Sequence, residues 1–239
     1  MKGFGEQQKS KNKGQKKTQP SKEQIIDQAF QLHSQGNISE AKQYYQLLIN
    51  QGFKDHRVFS NYGIILKDIG KLKEAELSFR KAIEIKPDYA EAYSNLGNIL
   101  KDLGKLKDAE LSFRKAIEIK PVYADAYSNL GNILKDIGKL KEAELSFRKA
   151  IEIKPDYAEA YSNLGNILKD LGKLEDAEIS YRKAIKIRPN YADAYCNLGV
   201  LLRILGKSQD ARLCSEKIMS LRSWSILGSY SFNAEMKLD

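Results

Sequence analysis

The sequence predicts an all-α fold, an α-solenoid of helix-turn-helix units, and three observations carry that prediction. The first is a period: Gly70, Gly104, Gly138, Gly172 and Gly206 fall 34 residues apart, and so do Pro87, Pro121, Pro155 and Pro189. The second is near-identity, since the segment Ala90–Tyr123 returns as Ala124–Tyr157 with four substitutions. The third is that apolar residues inside each period recur at helical spacing in two runs, divided by the glycine and stopped by the proline. A fixed period of this length means stacked supersecondary units, each touching only its neighbours.

In chain order, residues 1–21 read as a Lys-rich arm. Residues 1–20 carry Lys2, Lys9, Lys11, Lys13, Lys16 and Lys17 against Glu6, which is +5 of the chain's +9. That composition predicts a solvated, disordered arm, with contact to a nucleic acid or a membrane surface as the alternative. Residues 22–55 form a divergent first unit: Ile25, Ala29, Leu32, Gly36, Ala41 and Tyr45 keep register, while Phe53 stands where proline is expected. Four regular units follow at 56–89, 90–123, 124–157 and 158–191. The unit at 192–225 decays. It keeps Tyr195, Leu198, Gly199, Gly206 and Ala211, but Ser215, Ile218 and Ser223 replace the aromatic, an alanine and the proline. Residues 226–239 read as a tail or partial cap. The apolar residues Trp224, Ile226, Leu227, Tyr230, Phe232 and Met236 show no clear helical period. They either fold back on the last helix pair, form an exposed docking patch, or are the remnant of a longer chain.

With Ala90 as position 1, Tyr93, Leu96, Gly97 and Leu100 occupy positions 4, 7, 8 and 11. These fall within an arc of about 100°, one buried helix face. Gly104 supplies the left-handed residue that closes the helix. The second run buries Ala109, Phe113, Ala116, Ile117 and Ile119, and Pro121 stops it because its ring cannot continue the hydrogen-bond ladder. Helices of about 13 residues are marginal alone and must pair. Gly97, Ala109 and Ala116 let the axes approach to roughly 8–10 Å, and Phe113 is expected to fill the wider gap between one pair and the next.

Tyr93-x2-Leu96-Gly97-x2-Leu100, Ala109-x3-Phe113, Ala116 and Pro121 together resemble the tetratricopeptide repeat, with Tyr93 for the usual Trp and Leu100 for the usual Tyr. The resemblance extends over 22–225. It implies a right-handed superhelix whose concave groove binds protein or peptide partners. Bacterial arrays similar to this one, including cyanobacterial ones, are often joined to glycosyltransferase or sulfotransferase domains.

The face opposite the predicted buried arc is Glu91, Ser94, Asn95, Asn98, Lys101 and Asp102. Position 6 is Asn61, Asn95, Asn129, Asn163 and Asn197 in successive units; position 9 is Asn98, Asn132 and Asn166 in three of them. Position 12 is Lys67, Lys101, Lys135, Lys169 and Arg203. This is a candidate ladder along the groove. An amide offers one acceptor and two donors, which suits a peptide backbone of any sequence. With a rung about every 10 Å, an extended segment at about 3.3 Å per residue meets one every third residue. Recent duplication alone would also pattern the surface in this way. The ladder is similar to the asparagine-lined groove of protein O-GlcNAc transferases, which implies a grip on substrate backbone. The chaperone-tail clamp needs Lys at position 5 and basic residues at 2 and 6. Here position 5 is Ser94, Ser128 and Ser162, which argues against that ligand.

No apolar run is long enough to span a membrane, and no secretory h-region is present. Cys196 and Cys214 are too few for a disulfide framework, so a reducing cytoplasm is expected. His33 and His56 stand alone, no phosphate-binding loop follows a strand, and Asp108 and Glu110 are expected on solvated helix surface. The expectation is therefore a non-enzymatic scaffold without cofactor or metal, binding an extended peptide or a partner helix. One alternative is the recognition module of a glycosyltransferase or sulfotransferase system whose catalytic domain lies elsewhere; another is nucleic-acid or membrane-surface binding through the basic arm. Self-association through the terminal units competes with each, because near-identical repeats have interchangeable interfaces.

Overall fold

The computed structural model describes the backbone of residues 21–235 and, Lys22 aside, the side chains of residues 21–221. The Lys-rich arm lies outside the described residues up to position 20, and so do the apolar side chains from Trp224 onward. The chain divides into two compact units between Phe53 and Lys54, which is within two residues of the boundary the period predicts.

The first unit holds α1 (Lys22–Ser34) and α2 (Ile38–Asn50). Ser21 caps α1, accepting from the Gln24 amide while the Gln24 side chain accepts from the Ser21 amide. This reciprocal box satisfies two of the helix's orphan donors. Tyr45 is fully buried against α1 and donates its hydroxyl to the Ala29 carbonyl at 3.3 Å. Without proline, α2 ends differently from the later second helices. Gly52 takes φ +78°, Gly52 N–H donates to Ile49 O, and Phe53 N–H donates to Leu48 O. A left-handed glycine thus closes the helix where a proline was missing.

The second unit holds five helix pairs: α3 (His56–Asp68) with α4 (Leu72–Ile85), α5 (Ala90–Asp102) with α6 (Leu106–Ile119), α7 (Ala124–Asp136) with α8 (Leu140–Ile153), α9 (Ala158–Asp170) with α10 (Leu174–Ile187), and α11 (Ala192–Ile204) with α12 (Ser208–Glu235). No strand occurs among the described residues. Each turn inside a pair repeats one device. At α5, Lys105 N–H donates to Leu100 O, Gly104 N–H donates to Lys101 O, and Gly104 takes φ +73°. The α12 backbone runs past the predicted end of the last repeat, to Glu235.

Within this unit each first helix packs on its own second helix and on the preceding one, and successive first helices also touch. Successive second helices make no comparable contact. A stack whose first helices approach and whose second helices splay is curved, with the first helices on its inner side. That arrangement widens the buried face of the first helix beyond the predicted arc. In α5, Ala92, Ser94 and Ile99 are buried along with Leu96, Gly97 and Leu100, while Tyr93 is only partly buried. A helix flanked on three sides has no single apolar stripe.

Two further placements are set by packing. The Phe113 ring lies on Gly97 of its own pair, where an added Cβ would sit 2.8 Å from the ring. The same contact recurs between Gly63 and Phe79, Gly131 and Phe147, and Gly165 and Tyr181. Glu110, expected in solvent, is buried. It accepts from Arg114 one turn on, with nitrogen–oxygen distances of 2.8–2.9 Å, and from Lys139 of the next repeat at 3.1 Å. Glu76, Glu144 and Glu178 sit in the same clamp, reached by Lys105, Lys173 and Lys207. Burial pushes the Glu110 carboxyl up, but the hydrogen bonds from Arg114 and Lys139 outweigh it and hold it below the ordinary range. The residue that completes each clamp lies 29 positions away, so no helical wheel displays it.

Candidate functional site

Contact between successive first helices makes their inner faces one continuous surface. On these helices Asn61, Asn95, Asn129, Asn163 and Asn197 are all half-buried, and so are Asn98, Asn132 and Asn166. Lys67, Lys101, Lys135 and Arg203 are exposed and Lys169 half-buried. Apart from Asn166, none of these eight asparagine side chains has a hydrogen-bond partner among the described residues, and no buried side-chain polar atom is left unsatisfied there.

Asn166 differs. Tyr181 replaces phenylalanine in its repeat, and its hydroxyl donates to Asn166 Oδ1 at 2.7 Å. The ring is fully buried, so this amide supplies the one polar escape for a core hydroxyl. The bond turns the Asn166 carbonyl inward and leaves the NH2 for anything on the inner face. Burial first, then the Asp170 charge, pushes the Tyr181 hydroxyl far up, so it remains a donor at any physiological pH.

The predicted face needs one correction at position 5. Ser94, Ser128 and Ser162 are buried, not displayed. They hydrogen-bond to Tyr123, Tyr157 and Tyr191, which precede the next first helix. The reason is the neighbouring repeat: its entry loop covers the serine that an isolated helix would expose. Burial pushes the Tyr157 hydroxyl up to about 12, against the opposing pull of the Ser128 hydrogen bond. A cation lies over each ring: Lys120 over Tyr123 at 4.8 Å, Lys154 over Tyr157 at 4.7 Å and Arg188 over Tyr191 at 4.9 Å. Lys120 also reaches Glu91 at 2.9 Å, so the Glu91 carboxylate is engaged. These tyrosines border the inner face and were missed by sequence reading, although Pro-x-Tyr recurs in every regular unit.

Among the described residues no group of three or more His, Cys, Asp or Glu side chains could hold a metal ion. His33 contacts the Tyr45 hydroxyl at 3.4 Å, and His56 meets Tyr89 edge-on. No helix there is long and apolar enough to cross a membrane.

Comparison with known proteins agrees with this geometry. Profiles described as TPR repeat match residues 63–104, 97–138, 131–172 and 165–203, and one described as Tetratricopeptide repeat matches residues 192–223. No curated protein matches the chain. Among solved structures, MamA is 26% identical with a TM-score of 0.64, covering 69% of this chain and 96% of its own. YrrB, described as a TPR protein with an unusual peptide-binding site, is 23% identical with a TM-score of 0.61, covering 79% and 97%. PilW, a type IV pilus biogenesis factor, shares the fold at 22% identity and a TM-score of 0.73, covering 82% and 91%. With profiles spanning well over half of its length in the same helix-pair register, the chain belongs to the tetratricopeptide-repeat family.

Proposed function

We infer that the chain is a protein-interaction scaffold in general terms, a reading its family membership supports. We propose, more specifically, that the inner face of α3, α5, α7, α9 and α11 binds an extended peptide, with Asn61, Asn95, Asn129, Asn163 and Asn197 as its backbone-contacting rungs. Asn98, Asn132 and Asn166 form a second row beside them, and Lys101, Lys135 and Lys169 supply a charged edge. The observation that carries the reading is the unengaged state of seven half-buried amides on touching helices. A polar group held at a rigid surface with no internal partner loses little on exchanging water for peptide, and main-chain recognition tolerates varied sequence. The peptide-binding site of YrrB, a protein of similar fold, is consistent with this use of the architecture. The two free thiols, Cys196 and Cys214, suit a reducing compartment, and we place the protein in the cytoplasm on that ground.

The test is a display library of extended peptides, panned on the full chain and on the variant with Asn95, Asn129 and Asn163 all changed to Ala. Recovery of binders that lose at least about tenfold in affinity on the triple variant, with circular dichroism unchanged, supports the reading; each lost backbone contact is worth about 1 kcal/mol. Binders indifferent to all three substitutions would overturn it.

A further inference from the structure

Consecutive first helices offer a bound peptide the same letters. The α5 and α9 sequences are identical, AEAYSNLGNILKD, and α7 differs from them only by Asp125 in place of glutamate. A peptide held through its backbone alone would meet equivalent rungs on all of them. For a short peptide, a shift by one repeat, about 10 Å or roughly three extended residues, would then cost nothing. A ladder of this kind grips without fixing position.

The partner helices break the equivalence at one place. Phe113 lies on Gly97 of α5 and Phe147 on Gly131 of α7, but Tyr181 lies on Gly165 of α9. Its hydroxyl donates to Asn166 Oδ1 at 2.7 Å. Asn98 and Asn132, at the same position of α5 and α7, have no hydrogen-bond partner among the described residues. An amide without an internal partner can turn about its last torsion and present either its carbonyl or its NH2. It accepts from a peptide N–H or donates to a peptide carbonyl, whichever stands opposite. Asn166 has lost that choice. Its oxygen is held by the hydroxyl of a fully buried ring, and turning the amide would leave that hydroxyl without its acceptor. Asn166 therefore meets a peptide as a donor, and its side chain is already ordered before anything binds, which spares the complex that cost.

We infer that the Tyr181–Asn166 pair sets the register of the bound peptide: a main-chain carbonyl stands opposite Asn166, and the rungs that can still turn conform to the register so chosen. The inference rests on the peptide-binding reading of the inner face and divides its labour. Asn95, Asn129 and Asn163 supply affinity, while Asn166 supplies position. Tyr181 is a positioning residue, acting through Asn166 without touching the peptide.

Register is read as a distance between two nitroxides by double electron–electron resonance. One is placed on α4 through Leu77→Cys, where the side chain is 69% exposed. Cys196→Ser and Cys214→Ser remove the natural thiols, serine being the residue that earlier repeats carry at both positions, as at Ser94 and Ser112. The other nitroxide sits on the N-terminus of a peptide of about six residues, long enough to span about two rungs. That peptide is selected on the full chain from a library of the same length, and is kept only when changing Asn95, Asn129 and Asn163 to Ala weakens it at least about tenfold. The expected result is a single separation with Tyr181 present. In Tyr181→Phe several separations about 10 Å apart should replace it, with affinity changed by less than about threefold. Because phenylalanine is what the two preceding repeats bury at this position, the variant tests the hydroxyl and leaves the packing in place. The double variant Tyr181→Phe/Asn166→Ala, which orphans no hydroxyl, should depopulate the wild-type separation. An unchanged single separation in Tyr181→Phe, or several separations already present in the wild-type chain, would overturn the inference and leave the peptide-binding reading standing; a library that yields no such peptide would overturn both.

Discussion

Gly97 and Gly199 occupy the same helical position three repeats apart, yet they do different work. Gly97 lies against the buried ring of Phe113, leaving no room for a methyl group. Gly199 faces Cys214, and an added Cβ would meet the cysteine Cβ at 3.3 Å. Where the interior repeats bury an aromatic, the last one has Ser215, which is exposed and donates its hydroxyl back to Ala211. The glutamate clamps stop there too. Glu178–Lys207 is the last, and Arg212 stands where the next glutamate would be. A repeat that has lost its knob keeps the hole. An identical residue can therefore be indispensable in one unit and replaceable in another.

That contrast can be pressed experimentally. Phe147→Ala should lower the unfolding free energy by about 3–5 kcal/mol, since it empties a fully buried site, whereas Ser215→Ala should change it by less than about 0.5 kcal/mol. Denaturant titration followed by circular dichroism reads both, and similar costs at the two sites would erase the distinction. Gly131→Ala should cost about 1–3 kcal/mol through overpacking. Gly199→Ala should be neutral or stabilise by up to about 1 kcal/mol through helix propensity, because Cys214 borders a cleft into which it can shift. Opposite signs of the shift in melting temperature are the expected outcome.

The inner face offers a subtler version of the comparison. Asn166→Ala orphans the buried Tyr181 hydroxyl and should cost about 1–2 kcal/mol. Asn132→Ala, opposite a phenylalanine repeat, should be near neutral. Tyr181→Phe combined with Asn166→Ala should recover most of the loss, and a double-mutant cycle measures that coupling. The smallest expected effect concerns pH. Lys105 and Arg80 hold the Glu76 carboxyl below its ordinary range, and Lys207 with Arg182 does so for Glu178. Carboxyls depressed on folding contribute stability that is complete above the unfolded value of about 4.3 and is lost as pH falls through the folded values. Melting temperature should therefore hold from pH 7 to about 5 and fall below about 4.3. In a Glu76→Gln/Glu178→Gln variant that fall should be shallower, by under about 1 kcal/mol for each partly exposed pair.

Much of the fold could be read from residue types. Gly104 with its fixed offset from Pro121 marked the turn and the helix end, and Phe53 flagged the unit that ends on glycine instead. The candidate face was legible as a row of asparagines, but Ser94 was misplaced on it and the tyrosines beside it were overlooked. Glu110 was read as solvated because a helical wheel shows a residue's own helix and omits Lys139 of the next repeat. Tyr181 looked like a conservative exchange for phenylalanine, yet the extra oxygen ties up Asn166 and makes one rung unlike the rest.

Taken alone, then, the sequence determined the period, the helix boundaries and the row of amides, because these depend on residues within one turn or one hairpin of each other. Only the tertiary structure decided which polar groups are buried, which amide is already engaged and which leucines face water. Those outcomes depend on how one pair leans on the next, and near-identical repeats carry the same letters into positions whose neighbours differ.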